Sequence, residues 1–181
     1  MSTTYVSLSL ALADGGGLGW GAPAGTRVPY YVPGIRTMSP QFTKTKSGAA
    51  ADELFEASYD RYRQALEIKP DMHEALNNWG NALSAQAKAK KAEQAESLWE
   101  EAKQKLDQAE RIQSGSGAYN LACVDSLTGD ESACREHLEF AHRGGTLPAR
   151  DFVASDEDLV AVRDTEWFEA FLRSISDRQE R

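Results

Sequence analysis

Residues 58–84 read SYDRYRQALEIKPDMHEALNNWGNALS, and the break in the middle of this stretch decides the fold. Upstream of Pro70, the run from Ala49 to Lys69 has no Gly or Pro. It places Leu54, Ser58, Tyr62, Ala65 and Leu66 at three- and four-residue steps, one face of a helix. Pro70 lacks an N–H and cannot continue that helix. Downstream, Leu76, Trp79, Gly80 and Leu83 fall on one face of a second helix. Asp71, with Glu74 three residues on, is expected to start it as a capping box.

The same alternation of helix and break extends toward the C-terminus. From Ala85 to Ile112 the chain is rich in Ala, Glu, Lys and Gln, all strong helix formers. Trp99, Ala102, Leu106 and Ala109 form the later apolar face. Ser114-Gly115-Ser116-Gly117 interrupts the pattern. Two shorter helices are expected near 118–127 and 131–142, separated by Thr128-Gly129-Asp130 and ended by Gly144-Gly145. Ser155 is expected to cap a following helical turn, with Asp156, Glu157 and Asp158 favoured there by the helix dipole. Trp167, Phe168, Phe171 and Leu172 give an amphipathic last helix, which either covers the end of the array or faces a partner.

Toward the N-terminus the character changes. Residues 1–47 hold four of the six prolines and little helical periodicity. The run from Gly15 to Gly21 is a loop and not a dinucleotide fingerprint, because Pro23 and Gly25 argue against a helix opening directly after it. Val6, Leu8, Leu10 and Leu12 alternate as in a short strand, which needs an edge to join. The apolar start lacks a basic leading segment and makes a poor signal peptide.

Charge divides the chain in the same place. Arg27, Arg36, Lys44 and Lys46 against Asp14 give residues 1–47 a balance of +3, which leaves −11 for the rest of a chain of net −8. An acidic body disfavours general nucleic-acid binding, since neutralising phosphates needs a basic surface. It suits solubility or a basic partner. No stretch reaches ~18 consecutive apolar residues, so no membrane span is expected.

The helical stretch resembles the tetratricopeptide repeat, a helix-turn-helix unit of about 34 residues. Ser58, Tyr62 and Ala65 followed by Pro70 match its second helix and closing proline. Leu76, Trp79-Gly80 and Leu83 match the next first helix, and Ala102, Leu106 and Ala109 its second. Tyr119-Asn120-Leu121-Ala122, the Gly129-Asp130 turn, and Cys134, Leu138 and Ala141 look like the closing repeat of such arrays. The segment from Asp156 to Phe168 is similar to the closing segments of those arrays. The resemblance covers roughly residues 50–172 and implies an all-α, short helical-hairpin solenoid. In this reading residues 1–47 are an extended arm, 48–145 the solenoid and 146–181 capping helices and tail.

Two departures stand out. Ala87 to Ala102 is longer than the family's spacing, so Lys88–Leu98 extends the hairpin. Plant-type mitochondrial import receptors have similarly elongated repeats, together with a C-terminal membrane anchor not seen in this sequence. The helix ending at Pro70 matches a second helix whose first-helix partner would fall in residues 1–47. Its apolar face needs a cover from the arm, the terminal helix or a partner.

The resemblance implies protein binding through a groove lined by first helices. In this register Asn77, Asn81 and Ser84 face it from the middle repeat, and Tyr119 and Ser126 from the last. Asparagine amides can pair with a peptide backbone, and solvated helix surface is the plainer reading. No Lys or Arg set beside them suggests a carboxylate clamp. Cys123 and Cys134 have no zinc-type spacing, and packing explains Cys134 at a small-residue position. His73, His137 and His142 read as surface or capping residues, near no recognisable Ser or Asp arrangement. No catalytic set, cofactor site or metal site is expected. The expected role is a structural, protein-binding subunit of a larger complex, or a free adaptor that grips a peptide or basic targeting helix. The compartment stays open between cytoplasm and organelle.

Overall fold

The computed structural model describes residues 8–10, 36–38 and 48–179. From Gly48 onward the described residues are all-α. Seven helices run in order: α1 (Ala49–Ile68), α2 (His73–Lys88), α3 (Ala92–Ile112), α4 (Ala118–Thr128), α5 (Glu131–Arg143), α6 (Arg150–Ser155) and α7 (Glu166–Gln179). A single 3-10 turn, Glu157–Leu159, lies between α6 and α7. Two three-residue strands, β1 (Leu8–Leu10) and β2 (Arg36–Met38), pair antiparallel with Leu8 opposite Met38. β1 lies against α1 and α2. The remainder of the arm, including the Gly15–Gly21 loop, lies outside the described residues.

The helix ends follow local chemistry. Lys69, preceding Pro70, is extended and ends α1. Gly129 takes a left-handed conformation (φ 82°) that terminates α4 at no steric cost. Asp130 then caps α5 by accepting from the Ala133 N–H at 3.0 Å. Two expected caps differ. Asp71 does not cap α2: the cap position is Met72, whose carbonyl accepts from Ala75 and Leu76, with no side-chain bond. Ser155 does not open the turn at 157: its hydroxyl donates back to the Asp151 carbonyl at 2.8 Å, and Asp156 caps the turn by accepting from the Asp158 N–H. A serine inside a helix satisfies itself this way on the carbonyl four residues back, which leaves the cap to the next acid.

The start of α4 is held from a distance. Gly117 has no side chain to cap with, and the Glu110 carboxylate of α3 accepts instead from the N–H groups of Gly117 (2.9 Å), Ala118 (3.1 Å) and Gly115. Three otherwise orphaned donors converge on one carboxylate at the positive end of the helix dipole. Glu110→Ala is expected to lower stability by about 1–2 kcal/mol. Glu110→Gln should retain part of the loss, in urea unfolding followed by circular dichroism.

Helices α2 and α3 pack along one another as the longest hairpin, with the turn at 89–91, so the extra residues lengthen both arms. The approach is close because Gly80 faces Leu106: a Cβ on Gly80 would lie 2.6 Å from Leu106 Cγ and 3.1 Å from the Ala102 carbonyl oxygen. Helices α4 and α5 form the second hairpin. The first core holds Phe55, Tyr59, Tyr62, Trp79, Leu83 and Ala102. The second joins Tyr119, Cys134 and Leu138 to Val153, Leu159, Phe168, Phe171 and Ile175. Leu106, Leu121 and Val124 pack between the hairpins. Residues 146–175 therefore share one apolar core with α4 and α5.

Candidate protein-binding face

Helix α2 has two faces with different fates. Leu76, Trp79, Gly80, Leu83 and Ala87 are buried. On the other side Glu74, Asn78 and Asn81, at helical spacing, remain half-exposed. Asn77 sits between the two, 8% exposed, and its Oδ1 accepts from Asn120 Nδ2 of α4 at 2.8 Å. Asn120 is itself half-exposed. The outcome is a row of side-chain amides, Asn78 and Asn81 on α2 and Asn120 on α4, braced by the Asn77–Asn120 bond.

Of the five residues expected to line a groove, Asn81 alone is substantially accessible. Asn77 is buried and contributes as a brace. Ser84 is buried, and its hydroxyl donates to the Gly80 carbonyl at 2.9 Å. Tyr119 is buried, and its hydroxyl donates to Asp156 at 2.6 Å. Ser126 is 2% exposed. Tyr119 is covered by the segment after α5, which folds over α4. The Asp156 carbonyl accepts from Arg163 Nη2 at 2.8 Å, and Asp158 pairs with Lys88 at the end of α2 at 2.7 Å. Asn120 belongs to the row and was not among the expected residues. Its place next to Tyr119 in the closing-repeat motif pointed to α4, but only the fold brings it to Asn77.

Asp156 and Asp158 are accounted for by the Tyr119 bond, the cap and the Lys88 pair. No group of three or more His, Cys, Asp or Glu side chains suited to a metal occurs among the described residues. Both cysteines are buried thiols outside any disulfide. Burial, with Asp125 nearby, pushes the Cys134 thiol up to about 12, which makes it a poor nucleophile at neutral pH. At the far end of α2, Asp52 accepts from Lys90 (2.6 Å) and Gln86 (3.0 Å), and Gln86 also accepts from Tyr59 at 2.8 Å. The Lys90 and Gln86 hydrogen bonds hold the Asp52 carboxyl below its ordinary value, and burial raises the Tyr59 hydroxyl.

A second surface lies on the side of α2 opposite Asn78. Leu66 and Pro70, Leu76 of α2, and Gln108, Arg111 and Ile112 line an open depression of about 350 Å³. Ile112, which lines it, is 42% exposed.

His137 departs most from its expected role. Its Nδ1 lies 2.7 Å from Asp125 Oδ2, so it faces a buried carboxylate and is not a free surface group. The visible clue was Asp125 itself, the one charged residue in the run 118–128.

No helix among the described residues is long and apolar enough to cross a membrane. The chain matches no known family model, no curated protein and no solved structure.

Proposed function

We propose that this chain is a non-catalytic protein-interaction subunit of tetratricopeptide type, docking within a multi-subunit complex through its helical body and its residues 1–47. The observation that carries this reading is the depression lined by Leu66, Leu76 and Ile112, with Ile112 42% exposed in it. Isolated surface apolar residues need no explanation, but a continuous apolar depression with an exposed isoleucine marks a contact surface. A basic arm of +3 preceding a body of −11 adds a second means of attachment.

The amide row favours a second reading, a free adaptor that binds an extended peptide. Each amide donates and accepts at once, as a peptide group requires. One experiment separates the two. A tagged chain is expressed at native level in its source, and the extract is fractionated by size with mass spectrometry of the co-eluting proteins. The subunit reading expects a large assembly that Ile112→Asp depletes by tenfold or more and Asn81→Ala leaves in place. Migration as a free monomer rejects that reading. The adaptor reading then requires a peptide ligand whose binding Asn81→Ala weakens.

A further inference from the structure

Asp125 of α4 is the most deeply buried charge in the described body, its side chain 3% exposed. Two basic side chains from two other helices reach it. Lys103 Nζ of α3 lies 2.6 Å from one carboxylate oxygen and His137 Nδ1 of α5 lies 2.7 Å from the other. Both partners are one-third exposed, so protons exchange freely with solvent at the rim while the carboxylate stays inside. A buried carboxylate is costly unless both oxygens are satisfied, and here each faces one basic nitrogen. The arrangement ties α3, α4 and α5 together at one point, and one of its three members titrates near neutral pH.

We propose that this junction is a pH-sensitive brace: with His137 protonated, a charged hydrogen bond holds α5 onto α4, and loss of that proton across the neutral range weakens the hold. The groups facing His137 are Asp125 from α4, Lys103 and Asp107 from α3, and Glu136 on its own helix. The hydrogen bond to Asp125 acts most strongly and raises the imidazole pKa above 6.5. Burial opposes it, and the charges of Asp125, Asp107 and Glu136 reinforce it. A raised folded-state pKa fixes the sign. The extra stability is fully present below about 6.5, the unfolded value, and is lost as pH rises through the folded value. Cys134 on the same helix stays protonated throughout this window.

The test uses the full chain. The imidazole proton resonances of the three histidines are followed by NMR from pH 5 to 9, with thermal unfolding measured over the same range. His137 is expected to titrate above 6.5, to fall back toward 6.5 in Asp125→Asn, and to rise further in Lys103→Met, where a neighbouring positive charge is gone. The midpoint of the native chain should drop by about 2–4 °C across the transition. His137→Gln, which keeps a hydrogen-bond donor without the charge, should remove that slope, while His73→Gln should keep it. A His137 that titrates at or below 6.5 in the native chain, or a slope that survives in His137→Gln, overturns the proposal. The native-chain titration decides even if Asp125→Asn does not fold.

Discussion

Phe168→Ala is expected to destabilise the protein by about 3–5 kcal/mol, the usual cost of removing a fully buried aromatic side chain. Phe168 is 0% exposed and packs edge-on against Trp167 and beside Phe171. It belongs to the core that also contains Tyr119 of α4 and Leu138 of α5. The loss should therefore appear beyond α7. In hydrogen exchange, amides of α4 and α5 should lose protection together with those of α7, and urea unfolding should remain a single transition at a lower midpoint. If only α7 loses protection, the closing segment is an appended tail and the shared core is not a cooperative unit.

Gly80→Val is expected to cost about 2–3 kcal/mol, close to the upper end for overpacking. The new Cβ would sit 2.6 Å from Leu106 Cγ and 2.8 Å from its Cδ2, and Leu106 is itself fully buried. Neither helix can withdraw without opening the longest hairpin. Gly80→Ala meets the same contact but gains about 1 kcal/mol of helix propensity, so its net loss should be smaller. Combining Gly80→Ala with Leu106→Ala supplies the control. The double variant should be less destabilised than the sum of the singles by about 1 kcal/mol or more, since Leu106→Ala removes the atoms that the new methyl of Gly80→Ala meets. Strict additivity, or an unchanged urea midpoint for Gly80→Val, would show that α2 and α3 do not approach this closely.

These two expectations rest on different kinds of legibility. Gly80 could be singled out from sequence, because a glycine between Trp79 and Leu83 on an apolar helical face has no local purpose and implies a close neighbour. Phe168 could be placed on an amphipathic helix, but which core it enters was open between a covered end and a partner surface. The structure settles the packing, since Val153, Leu159 and Phe168 complete the core begun by Tyr119, Cys134 and Leu138.

Caps show a similar division. Gly129 and Asp130 are strong local instructions, and α4 and α5 end and begin where those residues predict. Asp71 and Ser155 are weaker ones. Ser155 stands next to the competing acceptor Asp156, which takes the cap, whereas α2 starts at Met72 with no side-chain cap at all. The cap on α4 was not legible, because Glu110 lies outside any N-cap window and reaches Gly117 only through the loop between the two helices.

The sequence by itself determined most of the helices, their breaks at Pro70, Gly115–Gly117 and Gly129, which of their faces are apolar, and that residues 1–47 differ in composition from the body; the turn at 89–91 and the short helix α6 came only with the structure. The former properties depend on backbone propensity and on neighbours within one or two turns. Only the tertiary structure decided which polar residues remain accessible. Asn77 is closed off by Asn120, 43 residues away, and Tyr119 by Asp156, 37 residues away. Asp125 gains its two basic partners from helices on either side in the chain. Burial is a property of what packs against a residue from elsewhere, so a helical register can place Asn81, Ser84 and Ser126 on a face but cannot say which of them meets solvent.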